Sequence, residues 1–252
     1  MRIRASVAVV GGALALSALA VPAAQASGSQ GDTKITKVVV DGDNKVSVGT
    51  SSAVTVKVSV TATDNSGIKG ADSFDLYGPD NGYASTGKPV CTTVNATTST
   101  CTASVKIDPR TDYLSNKSAG TWYVDAWIDA KDGDYNWKEK AGSFWFQRAS
   151  KLTANASPEP VKKGRTITVT GALSRANWET LKYGGYASQS VQLQFKKKGA
   201  SAYTTLKTVK TDSRGNLKTT TTATVDGYYR FSFAGNSATA AVGAAGDLVD
   251  VN

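Results

Sequence analysis

Ala53-Val54-Thr55-Val56-Lys57-Val58-Ser59-Val60-Thr61-Ala62 is an unbroken alternation of apolar and polar residues. Successive side chains of an extended chain point to opposite sides, so Val54, Val56, Val58 and Val60 share one face, and Thr55, Lys57, Ser59 and Thr61 the other. Burial of four valines fixes the register of such a strand, because a slip of one residue would carry them all to solvent. Asp64-Asn65-Ser66-Gly67 follows as a turn, since Asx and Gly tolerate its tight backbone. A second alternation runs from Thr121 to Ala130, with Trp122, Val124, Ala126 and Ile128 against Tyr123, Asp125, Trp127 and Asp129. Outward from these two, strands are expected at Lys34 to Val40, Ser73 to Tyr77, Val90 to Val94, Thr100 to Ile107 and Ser143 to Gln147. Lys131 to Tyr135 is a tight charged connection before the last of them.

About seven short strands in about 115 residues is the count and spacing of an immunoglobulin-like sandwich. Ala149 to Lys163, with Pro158-Glu159-Pro160, reads as the entrance to a second unit. Its strands are expected at Leu152 to Ala156, Thr166 to Ala172, Ser190 to Lys196, Tyr203 to Lys210, Leu217 to Val225, Tyr228 to Ala234 and Leu248 to Val251. Leucine is scarce and no long stretch has a 3.6-residue apolar period, so no segment demands a helix. Arg175 to Tyr186 has room for one short turn.

The N-terminus reads as an export signal. Arg2 and Arg4 precede an uncharged apolar run from Val7 to Val21, and Ala24-Gln25-Ala26 is a small-x-small cleavage site. The run is short for a membrane span, and no later stretch competes with it. The expected organisation is a signal over residues 1–26, a flexible leader over 27–33, and all-β tandem sandwiches over 34–149 and 150–252. The destination is extracellular and oxidising, so Cys91 and Cys101 are expected to form a disulfide stapling a hairpin over Val90 to Ile107. Charge divides at the same boundary. Ser27 to Arg148 holds 13 Lys+Arg against 14 Asp+Glu, and Ala149 to Asn252 holds 14 against 6.

The whole chain contains no histidine. That removes the Ser-His-Asp triad, the Cys-His pair and the zincin sites, which need an imidazole. The three glutamates, Glu139, Glu159 and Glu179, fall in a hairpin, a linker and a loop, with no convergent pair for glycoside hydrolysis. Two motif matches fail on context. Gly82 to Lys88 has P-loop spacing, but Pro89 replaces the magnesium-binding hydroxyl and a strand follows instead of a helix. Ser66-Gly67-Ile68-Lys69 spells S-x-x-K without its partner motifs or its helix. A non-catalytic protein is expected.

Ala119-Gly120-Thr121-Trp122-Tyr123-Val124, with the turn over Asp129 to Asn136, resembles the last hairpin of bacterial immunoglobulin-like domains. The second half is similar to immunoglobulin-like modules of secreted actinobacterial proteins. The likeness lies in Val161-Lys162-Lys163-Gly164-Arg165-Thr166-Ile167-Thr168-Val169-Thr170-Gly171, Val191-Gln192-Leu193-Gln194-Phe195, Thr211-Asp212-Ser213-Arg214-Gly215 and Gly227-Tyr228-Tyr229-Arg230-Phe231. These motifs are structural and carry no catalytic residues. Some proteins resembling the first half bear a calcium-binding label.

Three features point to ligands. Asp132, Asp134 and Asn136 have the D-x-D-x-N spacing of a calcium loop, with hard oxygen donors brought to one point. Trp137 stands where the EF-hand glycine belongs and Ser143 where its bidentate glutamate belongs, so the expected site is a looser one, completed by Asp129 and by Asp64 from another loop. Solvated turn-making is the alternative reading of these residues, and of Asp41 and Asp43. Secondly, the aromatics of Thr121 to Phe146 cannot all face inward, because Trp127 and Tyr123 alternate with Trp122. Trp127, Tyr135 and Trp137 are candidates for stacking on a glycan or on an extracellular protein partner. Cross-strand pairing within the sheet is the alternative. Thirdly, the basic second half, densest at Lys196-Lys197-Lys198, suits a polyanion, or else lysines that protect a hairpin edge. A monomer is expected.

Overall fold

The computed structural model describes residues 27–252, so the export signal read over residues 1–26 lies outside the described residues. The first part of the chain forms β1 (Ser27–Gln30), β2 (Lys34–Val40), β3 (Lys45–Val48), β4 (Val54–Thr63), β5 (Ile68–Ala71), β6 (Asp75–Tyr77), β7 (Tyr83–Ser85), β8 (Val90–Asn95), β9 (Thr98–Ile107), β10 (Gly120–Ala130) and β11 (Tyr135–Arg148). One sheet has the order β1-β11-β10-β6-β7, with β3 parallel to β11 and β5 antiparallel to β10; the other is β2-β4-β9-β8. The fold is all-β, and its two sheets close on an apolar core as a sandwich of immunoglobulin-like type.

The decisive alternation holds. Val56, Val58 and Val60 are fully buried while Thr55 and Lys57 are exposed. Across the core from them lie Phe74, Leu76, Trp122, Val124, Ile128, Phe144 and Phe146. Each such side chain contributes about 1.5–3 kcal/mol when fully removed from water. Trp122 also satisfies its indole N–H, which donates to the Ser118 carbonyl at 2.7 Å.

The second part forms β12 (Ser150–Leu152), β13 (Asn155–Ser157), β14 (Thr166–Asn177), β15 (Lys182–Gly185), β16 (Ser190–Lys197), β17 (Thr204–Lys210), β18 (Asn216–Thr222), β19 (Gly227–Phe233), β20 (Val242–Gly243) and β21 (Asp247–Val249). β12, β13, β15 and β18 gather on β14, and the facing sheet has the order β17-β16-β19-β20, with β21 also on β19. Ile167, Val169, Leu173, Val191, Leu193 and Phe231 form its core.

Three expectations need correction, and three short strands of the first sandwich go beyond them. The segment expected as a flexible leader over 27–33 is ordered: β1 pairs with β11 through Ser27↔Lys138 to Gln30↔Tyr135, because small residues lie flat beside the bulky edge of that strand. The last strand of the first sandwich starts at Tyr135, not Ser143. A bulge between Val124 and Ala126 lets pairing continue past it, where Lys140 adopts φ 52° and donates its N–H to Asp125 at 2.7 Å. Arg175 to Tyr186 holds a β-hairpin rather than a helical turn, and the helical segment among the described residues is a 3-10 turn at Asn116–Ser118. Lastly, β3, β5 and β7 have too few positions to display a period in sequence.

The two sandwiches meet closely. Trp178, in the turn just after β14, is 2% exposed and packs into the first core, 5.2 Å from the Phe146 ring, and donates its indole N–H to the Val48 carbonyl at 3.1 Å. Arg148 is buried at the crossing and donates to the Ala176 carbonyl. Burial, and then repulsion from Arg175, pushes its guanidinium down to about 10. Its main chain bonds both ways with Ala238 and Ala240, so the connection is clamped.

Candidate metal centre and aromatic face

Among the described residues, one group of three carboxylates converges: Asp32, Asp64 and Asp134, each offering an oxygen within 4.8 Å of the others. They come from three separate places. Asp32 sits in the turn from β1 to β2, Asp64 follows β4, and Asp134 lies in the β10–β11 turn. The convergence depends on Gly31, at φ +73°, where a β-carbon would stand 1.4 Å from Asp134 Oδ2. Asp134 Oδ2 accepts the Asp32 N–H at 3.1 Å.

Asp64 is 3% exposed. Its Oδ2 accepts from the Thr33 hydroxyl at 2.6 Å, and its Oδ1 from the Ser66 hydroxyl at 2.6 Å and the Ser66 N–H at 2.8 Å. Burial pushes this carboxyl up, but the Ser66 and Thr33 hydrogen bonds outweigh it and hold the group below the ordinary carboxylate value. The buried group is therefore an anion at neutral pH. Three hard oxygen donors, with no sulfur or imidazole beside them, fit calcium or magnesium rather than zinc or copper.

The expected ligand set is thus redrawn. Asp64 and Asp134 come together. Asp129 does not join them, because it lies on the outer sheet face and accepts the Trp127 indole N–H at 2.9 Å. Asp132 closes its own turn by accepting the Asp134 N–H at 3.1 Å. Asn136 donates to the Thr33 carbonyl at 3.1 Å, tying the β1–β2 turn to β11. The missed residue is Asp32, hidden by its assignment to the leader. Asp41 accepts the Lys57 N–H at 2.7 Å and Asp43 the Lys45 N–H at 3.1 Å, both as turn residues. The expected disulfide is present, joining Cys91 and Cys101 on paired positions of β8 and β9.

On the outer face of the seven-stranded sheet, the aromatics divide as the alternation requires. Trp122, Phe144 and Phe146 are buried, while Trp145 is 39% exposed and Trp127, Tyr135 and Trp137 are half-buried. Trp127 lies opposite Trp137 across the strands, with centroids 6.2 Å apart, and stacks on Tyr135 at 5.0 Å and 16°. These three candidates therefore form one ring cluster that partly covers its own faces. In the second half, Lys196 stands over Tyr203 and Tyr228, and Lys198 lies between Asp250 at 3.3 Å and Asp226 at 3.8 Å. The lysine run is thus partly neutralised by its neighbours.

No protein-family model matches the sequence, and no curated protein does. Solved structures give distant likenesses. A DUF4785 family protein from Legionella pneumophila is 13% identical, with 77% of this chain and 51% of that chain covered at a TM-score of 0.39. This chain thus spans about half the length of that one. Three N-terminal domains of the highly immunogenic outer capsid protein of bacteriophage RB49 are 10% identical, over 87% and 70%, at 0.30. The D00-D0 domain of intimin is 12% identical, over 84% and 99%, at 0.29. Nothing about ligand or activity carries across at such values. Among the described residues, no helix is long and apolar enough to cross a membrane.

Proposed function

We propose that this is an extracellular, non-catalytic binding or structural protein whose first sandwich is steadied by calcium. The supporting observation is the meeting of Asp32, Asp64 and Asp134 from three turns, one of them a buried anion. Calcium takes six to eight oxygens, so these carboxylates supply the anionic part of a shell that water and main-chain carbonyls complete. The cation would lock the β1–β2 turn onto the end of the sandwich. A ligand of the native state raises its stability by mass action, about 2.7 kcal/mol at a hundred times Kd. Melting of the full chain should therefore rise with millimolar calcium and return with chelator, and Asp32→Asn and Asp134→Asn should each abolish the response. An unchanged melting temperature in calcium refutes the site.

A second reading is glycan binding on the outer face of the seven-stranded sheet, favoured by the half-buried Trp127, Tyr135 and Trp137 beside open carboxylates. Tryptophan fluorescence should change on adding glycans, and Trp137→Ala should remove the change.

A further inference from the structure

A groove of about 240 Å³ opens beside the ring cluster, lined by Asp72, Ser73, Asp75, Asp125, Trp127 and Trp137. Two indoles and three carboxylates share the lining, with no basic residue among them. Among the described residues, none of these carboxylates joins an ion pair. Asp75 and Asp125 accept hydrogen bonds from neutral donors. Asp75 accepts from the Tyr83 hydroxyl at 2.9 Å, and Asp125 from the Lys140 N–H at 2.7 Å and from Tyr77. These bonds orient the carboxylates without cancelling their charge. A concave site of one sign with a low-dielectric wall focuses its field on a counter-charge.

The same sheet face already receives cations. The Lys140 ammonium lies 4.9 Å from the Tyr123 ring centre, and the Lys45 ammonium 5.6 Å from that of Trp145. At about 240 Å³ the groove is smaller than the roughly 300–1,000 Å³ of sites for drug-sized molecules, which suits one ring of a longer ligand. Carboxylates and the Ser73 hydroxyl can accept hydrogen bonds from several sugar hydroxyls and an ammonium at once, while the C–H groups of a sugar pack on the electron-rich face of an indole.

We infer that this groove binds a glycan carrying free amino groups, one amino-sugar unit seated between the Trp127–Trp137 wall and Asp72, Asp75 and Asp125. The inference rests on the glycan reading above and narrows it to a cationic ligand. A neutral or N-acetylated glycan would leave three carboxylates facing an uncharged ring.

The test is calorimetric titration of the full chain with short glucosamine oligomers, their N-acetylated counterparts, neutral glucose oligomers and a lysine peptide of matched charge. Glucosamine oligomers should bind about tenfold more tightly than the other three, the size expected for one charge-assisted hydrogen bond. Asp72→Asn with Asp75→Asn should cut that binding about tenfold, and added salt should weaken it. Both changes lie at the sheet surface, and an unchanged melting temperature verifies the variant's fold. Equal binding of all three oligomers overturns the amino requirement but leaves the glycan reading in place. Binding of no oligomer overturns both. Equal binding of the lysine peptide overturns the glycan in favour of a basic protein partner, and undiminished binding by the double variant overturns the location.

Discussion

The two sandwiches are fastened differently. The first joins its turns through side chains: the Asp32–Asp64–Asp134 group at one end, the Cys91–Cys101 bridge between β8 and β9, and the Asn136–Thr33 tie. The second adds main-chain exchanges at its ends to single carboxylate ties, Asp247 accepting the Ala156 N–H and Asp226 the Val251 N–H. Val161 and Asn252 exchange with Asp250 and Val161, and Gly164 and Ala223 with Ala223 and Arg165. Carboxylates respond to protons and cations and a disulfide to reductants, whereas buried amides do not. Among the described residues, the same architecture thus gives the first half a convergent acidic group and a disulfide on which its surroundings can act, and the second half neither.

The sharpest way to break this contrast is at the junction, where the second half enters the first core. Trp178→Ala should lower stability by about 3–5 kcal/mol, since it empties a large buried site and removes one of the two hydrogen bonds to the Val48 carbonyl. Calorimetry should show the loss in the transition of the first sandwich. Next is the bridge. Replacing Cys91 and Cys101 by serine should cost about 2–3 kcal/mol, read from the denaturant midpoint, because it frees a loop of sequence separation 10 in the unfolded chain.

Smaller is Asp64→Asn, expected to cost about 1–3 kcal/mol at neutral pH without calcium. Its sign with pH is definite. The folded carboxyl titrates below its ordinary value, so its stabilisation is complete above about pH 4 and is lost as pH falls further. The wild type should therefore lose more stability than Asp64→Asn on acidification through that range. The smallest effect is expected in the second half. Lys197→Gln should leave melting unchanged and only shorten salt-sensitive retention on heparin, because Lys196 and Lys198 are already engaged by rings and carboxylates.

How far these features were legible follows from their range. The inward faces of β4 and β10 were readable, since period-two burial is a local property, and so was the pairing of two cysteines in facing arms of one hairpin. The convergent acidic group was half readable. Asp134 and Asp64 carry turn spacing that marks them as oxygen donors, but Asp32 lies in a short polar stretch whose order comes only from pairing with Tyr135 to Lys138, more than a hundred residues away. Asp129 and Asn136 looked like ligands by spacing, yet strand alternation sends Asp129 to the outer face, where it meets an indole.

Alternation, turn chemistry and the absence of imidazole were enough to determine an all-β chain of two units without histidine-based chemistry. Those are properties of neighbouring residues. Which carboxylates meet, which rings cover one another, and that Trp178 fills the core of the other unit were decided only by packing. Such contacts depend on sheet order and bulges that bring distant residues together, and short polar segments do not encode their partners.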